Sequence, residues 1–261
     1  MLKGYYILIG MFLFIMIFLS CDQKENNMVG LDSAVIDSLM SDYNLANGPG
    51  AALTIIENGY IIYSKGYGLA KLEEDIPIIS GTNFRLASIT KQFTAMCIMI
   101  LQSRGQLNYE QTLTALFPNF PNYGNEITIR HLLHHTSGLR DYFSLIPGNV
   151  TEQIHDDDVL SMMMEQTSTY FIPGSEYQYS NSGYAVLAMI VEQVSGLSFA
   201  NFLSENIFLP LNMAVSIAFE EGISTVQSRA YGYSYSGDHY ILNDQSLTSA
   251  VLGDGGIYTS I

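Results

Sequence analysis

Ser88 and Lys91 lie three residues apart and form the only Ser-x-x-Lys pair in the chain. Apolar residues then recur at helical spacing as far as Gly105, which predicts that the pair opens a helix. Residues three apart share a helix face, and the positive potential of a helix N-terminus favours a forming alkoxide. The spacing suits a serine nucleophile with an activating amine. By itself it is weak, because average composition gives roughly one such pair by chance in a chain of this length.

A serine that attacks a carbonyl also needs a proton acceptor and polar groups that hold the substrate. Tyr179 is a candidate acceptor, as a phenolate or as a proton shuttle, and Asn181 offers an amide that reaches both Lys91 and a substrate carbonyl. Tyr-x-Asn also occurs at residues 123–125, so the tripeptide alone is not specific. The later copy is favoured because a strongly apolar helix, predicted over residues 183–195, follows it directly and can hold it in place.

Several short motifs occur in one order along the chain. They are Ser88-Ile-Thr-Lys91, Leu132-Leu-His-His-Thr-Ser-Gly-Leu139, Pro173-Gly174 before Tyr179-Ser-Asn181, and Gly253-Asp-Gly-Gly256. Together they resemble the serine β-lactamase-like and penicillin-binding-protein family, and more narrowly the branch of class C β-lactamases, DD-peptidases and related esterases. The likeness runs from about residue 50 to the last residue. An ordered set of motifs is far more specific than any one of them.

This resemblance implies a role for each candidate residue. Ser88 is expected to be the acylated nucleophile, with its backbone N–H as half of the oxyanion hole, and Lys91 its activating partner. Tyr179 is expected to be the general base, and Asn181 the residue that positions substrate and lysine. The implied reaction forms an acyl-enzyme from an amide or ester, such as a β-lactam, a D-amino-acid peptide or a small ester. The resemblance implies no metal and no organic cofactor.

The implied fold is α/β (α+β), with an antiparallel sheet flanked by helices and an all-helical region between the motifs. The family carries a further Lys-Thr-Gly or His-x-Gly after Tyr-x-Asn, and nothing here matches it. The run from His135 to Gly138 imitates its letters but precedes Tyr179, and we interpret it as structural. We therefore expect residues 31–261 to be an incomplete domain that lacks C-terminal sheet strands. Because one lost oxyanion donor typically costs about 10²- to 10³-fold in rate, we expect weak or no activity and a tendency to associate through an unpaired strand edge.

Local patterns predict the elements around these motifs. A helix is predicted to begin near residue 31 and to end before Gly48-Pro-Gly50, and Asn58-Gly59 between apolar runs predicts a β-hairpin. Residues 140–170 are interpreted as loop, including the acidic run 156–158. A helix is predicted over residues 198–208.

The N-terminus resembles a bacterial lipoprotein leader. Lys3 precedes an apolar run over residues 5–19, and Phe18-Leu-Ser-Cys21 resembles a lipobox, which predicts a signal peptide over residues 1–21 with lipidation at Cys21. Residues 22–30 are polar and predict a tether. The location expected is the bacterial cell envelope, lipid-anchored on its outer or periplasmic side; an uncleaved membrane anchor is the alternative. With Cys21 lipidated, Cys97 has no disulfide partner and is interpreted as a buried, inert thiol.

The amino-acid composition limits the classes of molecule that this chain is expected to bind. Of the 261 residues, 48% are hydrophobic, and 10 basic against 25 acidic residues give a net charge of −15 without a basic run. Nucleic acid is excluded as a partner because its recognition depends on clustered cations. The partners expected are a small-molecule or peptide substrate, derived from the cell wall in one version of the prediction, and the membrane through the lipid anchor.

Three other interpretations stay open from the sequence. In the first, the chain is a globular lipoprotein whose Ser-x-x-Lys is only a helix start. In the second, it is a zinc enzyme whose ligands come from the histidines and the acidic run. In the third, it keeps the fold as a cell-wall or penicillin sensor that is acylated without turnover. The candidate zinc ligands are His131, His134, His135, His155 and Asp156 to Asp158.

Overall fold

The computed structural model describes residues 31–261, so the predicted signal peptide, the tether and Cys21 lie outside the described part. Its α-helices are α1 (Ser33–Leu39), α2 (Lys91–Ser103), α3 (Leu113–Leu116), α4 (Ile129–Leu133), α5 (Asp156–Met164), α6 (Asn181–Ser195), α7 (Phe199–Leu203) and α8 (Leu252–Gly255). Its strands are β1 (Ala51–Glu57), β2 (Tyr60–Tyr67), β3 (Leu69–Lys71), β4 (Ile76–Pro77), β5 (Phe84–Arg85), β6 (Ile217–Ala218), β7 (Tyr233–Ser236), β8 (His239–Leu242) and β9 (Ile257–Thr259).

The chain divides into two units at residue 39. In the described part of the first unit, the Asp32 carboxylate accepts the backbone N–H of Ala34 at 2.9 Å and so caps the start of α1. The second unit, residues 40–261, holds the other helices and strands. The N-terminal helix, which was predicted to run from about residue 31 to just before Gly48, is therefore shorter than expected and ends at Leu39.

The strands form small antiparallel sheets. β1 pairs with β2 from Ala51–Tyr67 to Glu57–Tyr60, and the turn between them has positive φ at Asn58 (52°) and Gly59 (83°), as a tight hairpin turn requires. The predicted hairpin is thus confirmed. β3 pairs with β4, β7 pairs with β8, and β9 lies between β5 and β6.

The core of the second unit is built around α6, which packs against α2, α4, α5 and α8. Val186, Leu187, Ile190 and Val191 on this helix are fully buried, which explains why residues 183–195 are so strongly apolar. α6 ends at Gly196, whose φ of 74° is the usual left-handed helix stop. The helix begins two residues earlier than predicted, at Asn181.

The prediction of a loop over residues 140–170 was wrong in its second half, where α5 forms. The acidic run that suggested a solvated loop is instead the first turn of this helix, where carboxylates favourably face the positive end of the helix dipole. Val159 and Met163, four residues apart, are buried and belong to the inward face of the helix. Asp156 is itself buried at the start of the helix, which the sequence did not suggest.

Within residues 31–261, no single helix is long and apolar enough to cross a membrane. One bent pair, Asn181–Ser195 with Phe199–Phe208, meets the length and composition criteria at an angle of 79°.

Candidate active site

Ser88 is held at the end of the small central sheet. Arg85 in β5 pairs with Tyr258 in β9, and Leu86 donates its N–H to the carbonyl oxygen of Ile257 at 2.8 Å. The chain then makes a 3₁₀ turn, Ala87–Thr90, which leads directly into α2. The predicted helix start is therefore correct to within one turn, although Ser88 lies in the 3₁₀ turn and not in the α-helix.

The residue before Ser88 is strained. Ala87 has a φ of 45°, in the left-handed region that residues with a side chain rarely occupy. The conformation leaves Ser88 exposed at the surface of the cleft. Strain of this kind costs about 1–3 kcal/mol and clusters at functional sites. This observation agrees with a functional role for the serine.

Lys91 is the first residue of α2 and is almost fully buried, with 6% of its surface exposed. Its Nζ donates to Asn181 Oδ1 at 2.8 Å and to the backbone carbonyl of Asp254 at 2.8 Å, and lies 3.4 Å from Ser88 Oγ. An ammonium group has three donors, and these three acceptors account for them. The lysine is thus held in one orientation beside the serine hydroxyl.

Asn181 and Tyr179 come from the segment that enters α6. Ser180 caps that helix by accepting the Gly183 N–H at 3.0 Å, so Asn181 occupies its first position with a defined direction toward Lys91. Tyr179 is about half exposed, and its ring centre lies 5.0 Å from Lys91 Nζ. The structure therefore brings Ser88, Tyr179 and Asn181, the other three predicted site residues, together around Lys91.

His135 holds residues 178–180, the segment that enters α6, by hydrogen bonds and ring packing. Its Nδ1 accepts the Ser180 N–H at 3.1 Å, its carbonyl accepts the Gln178 N–H at 2.9 Å, and its ring lies 4.6 Å from that of Tyr179. Burial, and to a smaller degree the Lys91 charge, lower the pKa of His135, which favours the neutral ring that can accept this hydrogen bond. The geometry supports the structural interpretation of the run from His135 to Gly138.

A cleft of about 190 Å³ opens over Ser88. Arg85, Tyr142 and Asp254 line it, and none of them was assigned a role from the sequence. Tyr142 Oη donates to Asp254 Oδ2 at 3.0 Å; burial raises the pKa of Asp254 to about 6, against the opposing effect of Lys91. The sequence contains one indication that Asp254 belongs to the site, because this residue lies in the Gly253-Asp-Gly-Gly256 motif. It contains no such indication for Arg85 or Tyr142.

The earlier Tyr-x-Asn copy serves packing. Tyr123 Oη donates to the Met163 carbonyl, and Asn125 Oδ1 accepts from Thr114 Oγ1 at 2.6 Å.

Of the histidines considered as zinc ligands, His131 uses Nδ1 to accept the Thr128 N–H at the start of α4, and His135 Nδ1 accepts the Ser180 N–H. Among residues 31–261 no three His, Cys, Asp or Glu side chains are arranged to hold a metal ion.

Curated relatives include Penicillin-binding protein 4* of Bacillus subtilis (strain 168), 39% identical over 196 residues, which are 72% of this chain and 43% of the relative. Protein flp of Staphylococcus aureus (strain MRSA252) is 29% identical over 208 residues, 77% of this chain and 41% of the relative. The chain therefore spans about two fifths of the length of these relatives.

Among solved structures, a penicillin-binding protein from Bacillus halodurans matches with a TM-score of 0.72 and 30% identity, over 86% of this chain and 68% of its own. A D-amino acid amidase from Ochrobactrum anthropi SV3 matches with a TM-score of 0.71 and 23% identity, over 87% and 66%, and this likeness concerns the fold alone. The mixed α/β class, with small antiparallel sheets and helices, is thus confirmed. The family model described as Beta-lactamase matches residues 36–261. The chain belongs to the Beta-lactamase family.

Proposed function

We propose that this chain is a serine hydrolase that forms an acyl-enzyme on Ser88 from an amide or an ester. The observation that carries the proposal is the position of Lys91: a buried lysine, oriented by Asn181 and by the Asp254 carbonyl, lies 3.4 Å from an exposed serine hydroxyl. A buried cation costs free energy unless it is paired, so a fold retains one beside a hydroxyl most readily where it assists chemistry. The family match and the penicillin-binding relatives support the same assignment.

In the proposed acylation, Ser88 Oγ attacks the substrate carbonyl carbon while its proton leaves for a base. Lys91, with three acceptors around it, acts as the cation that stabilises the forming alkoxide. Tyr179, whose ring centre lies 5.0 Å from Lys91 Nζ, is the candidate base or proton shuttle that passes the serine proton to the leaving amine or alcohol. Breaking the bond to that leaving group completes the ester on Ser88.

Hydrolysis of the ester repeats the sequence with water in place of serine. The base removes a proton from water, the hydroxide attacks the acyl carbon, and the Ser88 alkoxide leaves and is reprotonated. The backbone N–H of Ser88 is the proposed first donor of the oxyanion hole. The cleft that receives the substrate carries both a cation, Arg85, and a carboxyl group, Asp254.

The substrate class proposed is the one that the family resemblance implies: a β-lactam, a D-amino-acid peptide or a small ester. The family's fold serves all three, and fold does not choose among them. Export to the cell envelope and a lipid anchor at Cys21 stay predictions that depend on the N-terminal sequence alone. The tendency of this chain to associate through an unpaired strand edge also stays a prediction.

The first test is mass spectrometry of the intact protein after incubation with a fluorophosphonate and, separately, with a penicillin. One adduct that maps to Ser88 and disappears in Ser88→Ala is the result expected. Ser103→Ala, at the far end of α2, is the matched control and should label like the parent protein. A folded protein that gives no adduct with either reagent contradicts the proposal.

The same experiment separates the hydrolase from the sensor. A penicillin adduct that disappears within minutes and releases a hydrolysed product supports turnover. An adduct that persists for hours supports the acylated sensor, in which the site is assembled but water is not activated.

A further inference from the structure

Asp156 is a buried carboxyl group that the proposed acylation does not use directly. It opens α5, is 8% exposed, and does not line the cleft over Ser88. Its Oδ2 accepts the N–H of Leu252 at 2.7 Å and its Oδ1 accepts the N–H of Gly253 at 3.0 Å. The two oxygens of one carboxyl group thus accept from two consecutive backbone amides.

The backbone that Asp156 holds continues directly into the site. The next residue, Asp254, gives its carbonyl oxygen to Lys91 Nζ at 2.8 Å. From the other side, Thr94 Oγ1 in α2 donates to the Gly253 carbonyl at 2.7 Å. The segment 252–254 is therefore held at each residue, and Asp156 is the group that satisfies its buried donors.

This segment also packs tightly against α6. A Cβ added at Gly253 would meet the Tyr184 carbonyl oxygen at 2.4 Å and the Ala188 Cβ at 2.7 Å. The backbone at Gly253 fits only because it has no side chain. In such a closely packed place, a shift of the segment that frees the amides also displaces the carbonyl that follows.

We propose that Asp156 is a positioning residue for the catalytic lysine: its carboxyl group holds the 252–253 amides so that the Asp254 carbonyl keeps Lys91 beside Ser88. The inference deepens the proposed function and rests on it for its kinetic consequence. Asp156→Ala leaves both buried donors without an acceptor and Asp156→Asn leaves one, because an amide has a single acceptor oxygen, and the segment relaxes to hydrate them. Lys91 then loses one of its three acceptors, the Asp254 carbonyl.

The kinetic test uses Asp156→Asn and Asp156→Ala in the full chain, with Asp157→Asn as the matched control. Asp157 is the next residue in the same helix turn and is exposed, so its substitution replaces a neighbouring carboxyl group by the same amide without touching the segment. We expect the maximal rate of fluorophosphonate labelling at Ser88, per folded protein, to fall about tenfold or more in both Asp156 variants, as for loss of a buried hydrogen-bond partner. The reagent concentration for half-maximal rate should change less than twofold, because Asp156 does not line the cleft.

Two measurements that do not depend on enzyme activity report on the accessibility of Lys91 and on the protection of the Leu252 and Gly253 amides. Acetic anhydride should modify Lys91 about tenfold faster in Asp156→Asn than in the parent protein, and hydrogen exchange at Leu252 and Gly253 should accelerate. Asp157→Asn should change neither. If the parent protein does not label at Ser88, the proposed function fails, and these measurements still decide the role of Asp156.

The positioning role is overturned if both Asp156 variants label Ser88 and expose Lys91 as the parent does. Rapid exchange of the Leu252 and Gly253 amides in the parent protein overturns it as well, and this measurement needs no variant to fold.

Discussion

Replacement of Lys91 by methionine should slow acylation of Ser88 by about three orders of magnitude. Methionine has nearly the volume of the lysine stem and no charge, so it removes the cation without opening a large cavity. In the parent structure, Lys91 Nζ is 3.4 Å from Ser88 Oγ. A unit charge at that distance from a forming alkoxide contributes about 5 kcal/mol at an effective dielectric constant of about 20. This energy corresponds to a rate factor of about 10³ to 10⁴.

The assay is the pseudo-first-order rate of fluorophosphonate labelling at Ser88, normalised to the folded fraction. Lys65→Met is the matched control, because it removes an exposed lysine of β2 with the same change in charge. We expect that variant to label within twofold of the parent. A Lys91→Met protein that is folded and labels within tenfold of the parent would refute the reasoning, since the lysine would then contribute no more than a surface charge.

Three further outcomes are expected. Asn181→Ala removes the 2.8 Å acceptor of Lys91 and should slow the same labelling about 10- to 100-fold, as for a hydrogen bond to a charged group; a change under threefold contradicts that role. Burial raises the pKa of Asp156 to about 8 and of Asp254 to about 6, so the folded chain holds protons that the unfolded chain releases. Their contribution to stability is complete below about pH 4 and is lost as pH rises through 6 and 8. The free energy of unfolding, measured with urea, should be lower at pH 8.5 than at pH 5, and this difference should be smaller in Asp156→Asn. An equal difference in the two proteins contradicts the assignment to Asp156. Finally, Cys97 is fully buried and burial raises its thiol pKa to about 12, so iodoacetamide should modify it only on unfolding, with rapid native-state modification as the contrary result.

Local sequence was a good guide wherever short-range chemistry decides the structure. Asn58-Gly59 specified the hairpin because both positions need positive φ, and Gly196 ended α6 for the same reason. The apolar periodicity after Ser88 and before Gly196 marked two helices correctly, because each buries a continuous face. Boundaries shifted by two or three residues where capping, and not periodicity, decides the first turn.

The acidic run at the start of α5 shows where local reasoning failed. Three aspartates in a row are usually solvated, and a pattern of letters does not say which of them turns inward. Asp156 is buried because two backbone amides from residues 252 and 253, nearly a hundred positions later, need an acceptor there. Such a pairing has no local signature.

The sequence by itself determined the candidate chemistry: the Ser88–Lys91 pair, the Tyr179-Ser-Asn181 motif and the order of motifs that relates the chain to its family. Only the tertiary structure decided how that chemistry is assembled. It placed Asn181 and the Asp254 carbonyl on Lys91 and brought Arg85, Tyr142 and the Asp254 side chain to the cleft. The physical reason is that local spacing, across the 3₁₀ turn that leads into α2, relates Ser88 to Lys91. The other contacts join segments distant in sequence that only tertiary packing, such as that of α2, α6 and α8, brings together.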